Sequence, residues 1–310
     1  MRAIGVHEPG TPDALQVVDL PRPEVAEGEV RIRVHAAAVN PTDTLLRSGQ
    51  RDLSRQPRPL VPGMDVAGVL EEIGPGTETT LGVGDAVMAI VVPRGTHGAY
   101  AEQVVLPAES VAAAPRGAGH DEASTLPMNG LTARLALDSL GLPSGSVLAV
   151  TGAAGAMGGY AVQLAKADGL QVVADAAEQD EQLVADLGAD VVLARGEGFS
   201  ERVRERFPDG VDGAVDGAML HSALVPAVRD GGTVVTIRGY DEPAERGVRF
   251  QPVLVVDYAR EQQKLDALRQ QAEDGVLSLR VAESLPAEQA PQAHRRLEAG
   301  GVRGRLVLSF

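Results

Sequence analysis

The hydrophobic pattern of the chain changes character near residue 120. Before that point, short apolar runs divided by proline and glycine predict strands at Ala3–Val6, Val30–Ala36, Asp65–Ile73, Ala86–Val92 and Tyr100–Val105. From about 123 to 259, apolar runs of four or five residues alternate with helical stretches. This alternation is typical of βα units and a parallel sheet. The sequence therefore predicts a strand-rich, partly antiparallel domain over 1–122, followed by an α/β domain over 123–259.

The α/β region contains five apolar runs short enough to be strands buried on both faces. They are Val147–Thr151, Gln171–Ala174, Val191–Leu193, Gly213–Asp216 and Thr233–Ile237. Between the first two, apolar residues recur at helical spacing and predict a helix over 156–168 with one buried stripe. The remaining segment, 260–310, begins with a polar helical pattern and ends in a predicted strand, Arg305–Ser309.

Charge and residue usage exclude several classes of partner and site. With 28 basic and 43 acidic residues, the net charge of -15 disfavours nucleic acids and anionic lipid surfaces. The absence of cysteine excludes disulfides, thiolate zinc ligands and a cysteine nucleophile. The first predicted strand begins almost at Met1 and no apolar run is long enough to span a membrane, so we expect a cytoplasmic protein.

A glycine-rich turn joins the first α/β strand to the helix over 156–168. Its sequence is Gly152-Ala153-Ala154-Gly155-Ala156-Met157-Gly158. The first glycine permits a tight turn, the second lets the backbone approach a pyrophosphate, and the third lets helix and sheet pack closely. A purely structural turn is the alternative, but the strand before and the helix after match a dinucleotide site. Gly152, Gly155, Ala156, Met157 and Gly158 are therefore predicted to bind the cofactor.

An acidic residue at the end of the second α/β strand would hold the adenosine ribose. Asp175 occupies that place, and residues 171–194 include no lysine or arginine for the 2′-phosphate of NADPH. This pattern favours NADH, although the acidic residues could equally be the solvated face of the next helix.

Further motifs extend over nearly the whole chain. They are Val39-Asn40-Pro41-Thr42-Asp43, Arg47-Ser48-Gly49, Pro62-Gly63-Met64-Asp65, Gly98-Ala99-Tyr100-Ala101-Glu102, Leu126-Pro127-Met128-Asn129-Gly130-Leu131-Thr132-Ala133, Leu187-Gly188-Ala189-Asp190 and Gly304-Arg305-Leu306-Val307-Leu308. Together with the glycine turn, they resemble the zinc-independent medium-chain dehydrogenase/reductases, in particular the quinone oxidoreductase and zeta-crystallin branch. The resemblance implies an α/β fold with a Rossmann-type cofactor domain and a GroES-like β-rich catalytic domain. It also implies that residues 260–310 return to the catalytic domain and that the active site lies in the interdomain cleft.

The resemblance implies roles for individual residues. Asn40 and Thr132 match positions of the nicotinamide and active-site pocket, although the residues alone also allow a turn at Asn40 and a helix-start hydroxyl at Thr132. Ile237, Arg238 and Gly239 match a loop that closes over the nicotinamide. Arg305 keeps the positive charge of a terminal lysine common in the family and is expected to bind the cofactor. The resemblance implies NADPH as the usual cofactor.

Three departures from the family pattern change these expectations. Zinc-containing relatives have a cysteine near position 40 and Gly-His-Glu near 63–65, where this chain has Asn40 and Gly63-Met64-Asp65, so no catalytic zinc is expected. Leu45 and Arg51 stand near positions where the quinone-reductase branch often has tyrosines. Glu178 and Glu181 stand near the usual serine and lysine for the 2′-phosphate, which leaves NADH or NADPH open.

The predicted reaction is zinc-free hydride transfer from NAD(P)H to a quinone or another conjugated carbonyl. Such an acceptor becomes anionic, so hydrogen-bond donors should face its oxygen, while the proton could come from solvent. An enoyl-thioester reductase and a non-catalytic dinucleotide-binding protein are the alternatives. The six histidines are predicted to be solvated or core residues and Tyr100 a packed aromatic. The resemblance also allows a homodimer.

Overall fold

The computed structural model describes residues 1–50, 55–243 and 245–310, which form two compact units. The β-rich unit comprises Met1–Met128, Ala259–Asp274 and Leu279–Phe310, and the α/β unit comprises Asn129–Tyr258 and Gly275–Ser278. Most of the segment 260–310 thus belongs to the β-rich unit. Over the described ranges, every helix is too short or too polar to cross a lipid bilayer.

The strands are β1 (Arg2–Gly5), β2 (Gln16–Asp19), β3 (Glu29–Ala38), β4 (Asp65–Ile73), β5 (Ala86–Ile90), β6 (Gln103–Pro107), β7 (Val111–Ala113), β8 (Val147–Thr151), β9 (Gln171–Ala176), β10 (Val191–Ala194), β11 (Val211–Asp216), β12 (Val228–Thr236), β13 (Arg249–Pro252), β14 (Val281–Pro286) and β15 (Arg305–Ser309). The α-helices are α1 (Pro41–Ser48), α2 (His120–Ser124), α3 (Pro127–Leu140), α4 (Ala156–Ala167), α5 (Glu181–Asp186), α6 (Phe199–Arg206), α7 (Gln262–Glu273) and α8 (Ala290–Glu298).

The β-rich unit is built on a sheet with the strand order β14-β15-β3-β4-β5-β7, and β6 also pairs with β3. All of its pairs are antiparallel except β14 with β15. The ten residues of β3 are mostly buried, because this strand has β15, β4 and β6 as partners along its length. The core beneath the sheet includes Ile32, Leu70 and Leu106.

The α/β unit contains six parallel strands in the order β10-β9-β8-β11-β12-β13. Counted along the unit, this is the order 3-2-1-4-5-6 of the doubly wound fold, which confirms the predicted fold class. The order reverses between β8 and β11, whose carboxyl ends are Thr151 and Asp216. Ligands of open parallel sheets bind at such a switch point, so we expect the ligand of this unit to bind there.

Candidate functional site

The glycine turn between β8 and α4 depends on two of its glycines for its shape. Gly152 has φ +70°, and a Cβ there would lie 3.0 Å from the carbonyl carbon of Gly217. At Gly158, a Cβ would lie 2.3 Å from the carbonyl oxygen of Gly152. The backbone of α4 therefore packs directly on the turn, as the glycine spacing predicts.

The start of α4 fits the diphosphate of a dinucleotide. Gly155 is the N-cap residue and has no side chain that could accept a hydrogen bond from the first turn of the helix. The turn is open where the ligand would approach, since Gly152, Gly155 and Ala156 are half-exposed. Unpaired N–H groups and the positive end of the helix dipole stabilise an anion at such a terminus.

Asp216, at the end of β11, organises the backbone on the other side of the switch point. It is 1% exposed, and its Oδ1 accepts a hydrogen bond of 2.8 Å from the Thr151 hydroxyl. The same carboxylate accepts the N–H groups of Leu220 at 3.0 Å and His221 at 2.7 Å. The carboxyl ends of β8 and β11 are thus joined by side chains, and the loop after β11 is tied to the sheet.

This loop has two residues in the left-handed backbone region, Met219 at φ +60° and His221 at φ +52°. The imidazole of His221 stacks on the ring of Tyr240, which follows β12, with 4.1 Å between centroids. Tyr240 in turn packs edge-on against Phe250 of β13. Non-glycine residues persist at positive φ only where their surroundings hold them there, and such positions cluster at functional sites.

Asp175 lies within β9 and points back to the glycine turn. Its side chain is buried, and its Oδ1 accepts the N–H of Ala153 at 3.1 Å. Burial raises the pKa of Asp175, and hydrogen bonds from the backbone of Ala153 and Gly152 act in the opposite direction. The carboxyl group predicted to hold the ribose therefore also supports the turn.

A basic residue lies beside Asp175 across the sheet edge. Arg195 follows β10 directly, is exposed, and donates its backbone N–H to the Ala176 carbonyl at 2.8 Å. Its charge is close enough to lower the pKa of Asp175 against the larger effect of burial. Glu178 and Glu181, which follow β9, are also exposed. The carboxyl ends of β9 and β10 are therefore followed by exposed side chains of both charges.

In the β-rich unit, Asn40, Asp65 and Arg305 form one buried cluster. The Arg305 guanidinium donates to Asp65 Oδ2 at 3.0 Å and to Asn40 Oδ1 at 2.8 Å. The Asn40 amide donates to Asp65 Oδ2 at 2.8 Å, and the Met128 N–H donates to Asp65 Oδ1. Each of the three side chains is 4% exposed or less. The positive charge of Arg305 is thus matched by Asp65 within the unit.

A second buried chain of polar groups starts at Asp43, one helical turn after Asn40. The Asp43 carboxyl accepts the N–H groups of Asn40 at 2.8 Å and Gly63 at 3.0 Å, and the Tyr100 hydroxyl at 3.1 Å. Tyr100 also contacts His294 Nε2 of α8 at 3.2 Å. Burial raises the pKa of Asp43 from 3.8 to about 7. Burial, with the charge of Arg47, lowers the pKa of His294 from 6.5 to about 3.

These two shifts predict opposite pH dependences of stability that cancel in the wild type. Between pH 4 and 6.5, Asp43 and His294 together hold one proton in both the folded and the unfolded chain. In His294→Gln the raised pKa of Asp43 acts alone, so stability is lost as pH rises, by about 1.4 kcal/mol per pH unit. In Asp43→Asn the lowered pKa of His294 acts alone, so stability is lost as pH falls.

Urea unfolding of wild type and both variants at pH 4.5, 5.5 and 6.5 measures these slopes. Each variant is compared with the wild type, because all other titrating groups are common to the three proteins. Slopes of the same sign in the two variants would contradict the assignment of one shared proton to this pair.

The chain resembles known proteins over both units. Residues 26–116 match the alcohol dehydrogenase GroES-like domain, and residues 187–308 match the zinc-binding dehydrogenase domain. The quinone oxidoreductase of Sus scrofa is 28% identical over 99% of this chain and 97% of its own length. The NADPH-dependent alkenal/one oxidoreductase of Arabidopsis thaliana is 32% identical over 74% of this chain, which spans 59% of that relative.

A solved mycobacterial quinone oxidoreductase is 30% identical, with a TM-score of 0.85 and full coverage of both chains. The chain belongs to the medium-chain dehydrogenase/reductase family. The predicted resemblance to the quinone oxidoreductases of this family is thereby confirmed.

Several family positions can now be located in the structure. Thr132 is buried in α3, Ile237 is half-buried after β12, and Arg238 and Gly239 are exposed. Leu45 is half-buried in α1, whereas Arg51 lies outside the described residues. Across the described ranges, the medium-chain reductase fold brings no three histidine, aspartate or glutamate side chains together as metal ligands.

Sequence reasoning did not single out Asp216, His221 or Arg195. The position of Asp216 at the end of a predicted strand beside the switch point was a usable signal, since polar residues there face the ligand crevice. Arg195 lies one residue beyond 171–194, the stretch in which a basic side chain for the 2′-phosphate was expected. His221 gave no signal, because only the folded backbone shows its positive φ and its ring partner.

Proposed function

We propose that this medium-chain reductase transfers hydride from NAD(P)H to a quinone or a conjugated enone. The observation that carries the proposal is the glycine turn at the switch point of the parallel sheet, where α4 begins after a glycine N-cap. The names of the Sus scrofa and Arabidopsis relatives support the acceptor classes. A bound nicotinamide supplies the hydride, and the protein supplies binding, orientation and exclusion of water.

The proposal gives each group of residues a separate task. Gly152, Gly155 and the first turn of α4 hold the diphosphate, while Gly158 keeps the helix close to the turn. Asn40 in the β-rich unit and Thr132 in the α/β unit each match a family position with a role in acceptor binding. Because the amide of Asn40 is engaged with Asp65 and Arg305, we assign it to positioning the pocket backbone.

Steady-state oxidation of NADH and NADPH with a panel of quinones, small enones and enoyl thioesters tests this function. We expect turnover with a quinone or an enone. Turnover confined to enoyl thioesters would replace the proposed acceptor class. Cofactor binding without turnover on any acceptor would instead identify a non-catalytic dinucleotide-binding protein.

Cofactor choice is proposed to depend on Arg195. Asp175 is engaged by the glycine turn, whereas Arg195 is exposed at the adjacent strand end, where the 2′-phosphate of NADPH would lie. We expect Arg195→Ala to weaken NADPH binding about tenfold, as one charge-assisted hydrogen bond contributes roughly 1.5 kcal/mol or more. NADH binding should be nearly unchanged.

Calorimetric titration of both cofactors measures this difference. Arg202→Ala is the matched control, because that guanidinium is occupied by the carbonyl groups of Ala194 and Glu197. Asp175→Asn should weaken the binding of both cofactors alike, because this side chain supports the glycine turn. If Arg195→Ala lowered the affinity for NADH and for NADPH equally, Arg195 would not be part of the 2′-phosphate site.

A further inference from the structure

His221 lies on the half of the sheet where the reacting end of a bound dinucleotide would be. The glycine turn after β8 and Asp175 of β9 place the diphosphate and adenosine on the β8-β9-β10 half. The second mononucleotide then lies over β11, β12 and β13. His221 follows β11, and its ring partner Tyr240 follows β12.

His221 is anchored through its backbone and packed through its ring. Its backbone N–H donates to Asp216 Oδ2 at 2.7 Å, its ring stacks on Tyr240, and its Nδ1 lies 3.9 Å from Asp216 Oδ2. Its side chain remains 34% exposed, although Nδ1 is buried and has no hydrogen-bond partner among the described residues. The positive φ of His221 is a conformation that non-glycine residues keep mainly where their surroundings enforce it, and such positions cluster at functional sites.

We propose that His221 is the proton donor of the reduction, oriented by Asp216 and Tyr240. The proposal rests on the proposed function, since it requires an acceptor that becomes anionic. The Asp216 carboxylate anchors the backbone of His221 and, with its Oδ2 3.9 Å from Nδ1, would offset the positive charge of the imidazolium without a hydrogen bond to the ring. Tyr240 fixes the plane of the ring.

With an enone as acceptor, the reduction consists of hydride addition followed by protonation. The acceptor gains a hydride at its β-carbon, and the electrons of its double bond move toward the carbonyl oxygen to give an enolate. The N–H bond of the imidazolium then breaks, and the proton bonds to the enolate. The products are the saturated ketone, NAD(P)⁺ and neutral His221, which regains a proton from water.

Two variants at position 221 test the role without disturbing the backbone. Asparagine and glycine both accept a left-handed φ, so His221→Asn and His221→Gly should fold as the wild type does. With but-3-en-2-one as acceptor, we expect His221→Asn to lower kcat on the order of 10²-fold, the usual contribution of a general acid. The Kd of the reduced cofactor should stay unchanged. Added imidazole should restore turnover of His221→Gly in a saturable way.

The control variant is His120→Gln, which removes a half-buried histidine of the β-rich unit that stacks on His35. Its kcat should equal that of the wild type. A second readout is independent of turnover: in ¹⁵N-histidine spectra, addition of oxidised cofactor should shift the ring resonance of His221 and leave that of His120 in place. The His221 resonance is assigned by its loss in His221→Asn.

The outcomes separate the two proposals. Wild-type turnover together with a kcat within twofold in His221→Asn, or an unshifted His221 resonance, would overturn the role of His221 alone. Failure of imidazole to restore His221→Gly would also count against proton donation. A wild type that reduces no acceptor would overturn the proposed function, and the proton-donor role with it.

Discussion

Arg305→Met is expected to lower the free energy of unfolding by about 3–5 kcal/mol, because it leaves the charge of Asp65 buried without its partner. The Asp65 side chain is fully buried and the Arg305 side chain is 4% exposed, so water cannot replace the guanidinium. The loss is a large share of the roughly 5–15 kcal/mol that stabilises an ordinary domain. Urea unfolding followed by far-ultraviolet circular dichroism measures the loss.

The double variant Asp65→Asn/Arg305→Met provides the control. It removes both charges and keeps a side-chain oxygen that can accept the Met128 N–H. We expect it to be more stable than Arg305→Met alone, because an unpaired buried charge costs more than the loss of the whole pair. Arg305→Lys keeps the charge and should be destabilised less than Arg305→Met, although one ammonium cannot reach all the acceptors of the guanidinium. A loss below about 1 kcal/mol in Arg305→Met would show that the pair is not essential to the unit.

Gly158→Ala should weaken NAD(P)H binding about 10- to 100-fold and also destabilise the α/β unit. Its new Cβ would meet the carbonyl oxygen of Gly152 at 2.3 Å and the carbonyl carbon at 2.7 Å. Both atoms belong to the backbone, so either the turn opens or α4 moves, at a cost of about 1–3 kcal/mol. Thermal unfolding with and without cofactor, combined with calorimetric titration, measures both effects.

Gly155→Ser separates binding from folding at the same turn. Gly155 has φ -71° and ψ 173°, which suit a serine N-cap, and a Cβ there would have one backbone neighbour, the Gly152 oxygen at 3.1 Å. We expect unchanged or higher stability with weaker cofactor binding, because the hydroxyl occupies the N–H groups that the diphosphate needs. Wild-type affinity in both variants would exclude the turn as the cofactor site.

The sequence predicted best those parts of the fold whose signals are local. Short apolar runs mark β8, β9 and β10, and these strands were predicted to within two residues. The spacing of apolar residues predicted α4, and the glycine turn was found because each glycine has a distinct steric task. The edge strands β13 and β14 were missed, because exposed positions and prolines interrupt their apolar pattern.

The sites depend on contacts between residues far apart in the chain, and these were not predictable from local pattern. Asp65 and Arg305 are separated by 240 positions. Asn40 and Arg305 were matched to separate family roles, and their shared cluster became visible only in the fold. The contact of Tyr100 with His294 likewise joins two distant residues, which were predicted to be a packed aromatic and a solvated or core histidine.

The return of the chain to the β-rich unit has a consequence for its synthesis. The unit needs β15 beside β3, and β15 ends one residue before Phe310. On the ribosome, the α/β unit has its main segment, 129–258, available while the β-rich unit still lacks the two sheet strands β14 and β15 and the partner of Asp65. We therefore expect the usual order, in which the N-terminal domain matures first, to be inverted here. Residues 36–38 of β3 would lack their pairing partners in β15 until that strand has been synthesised.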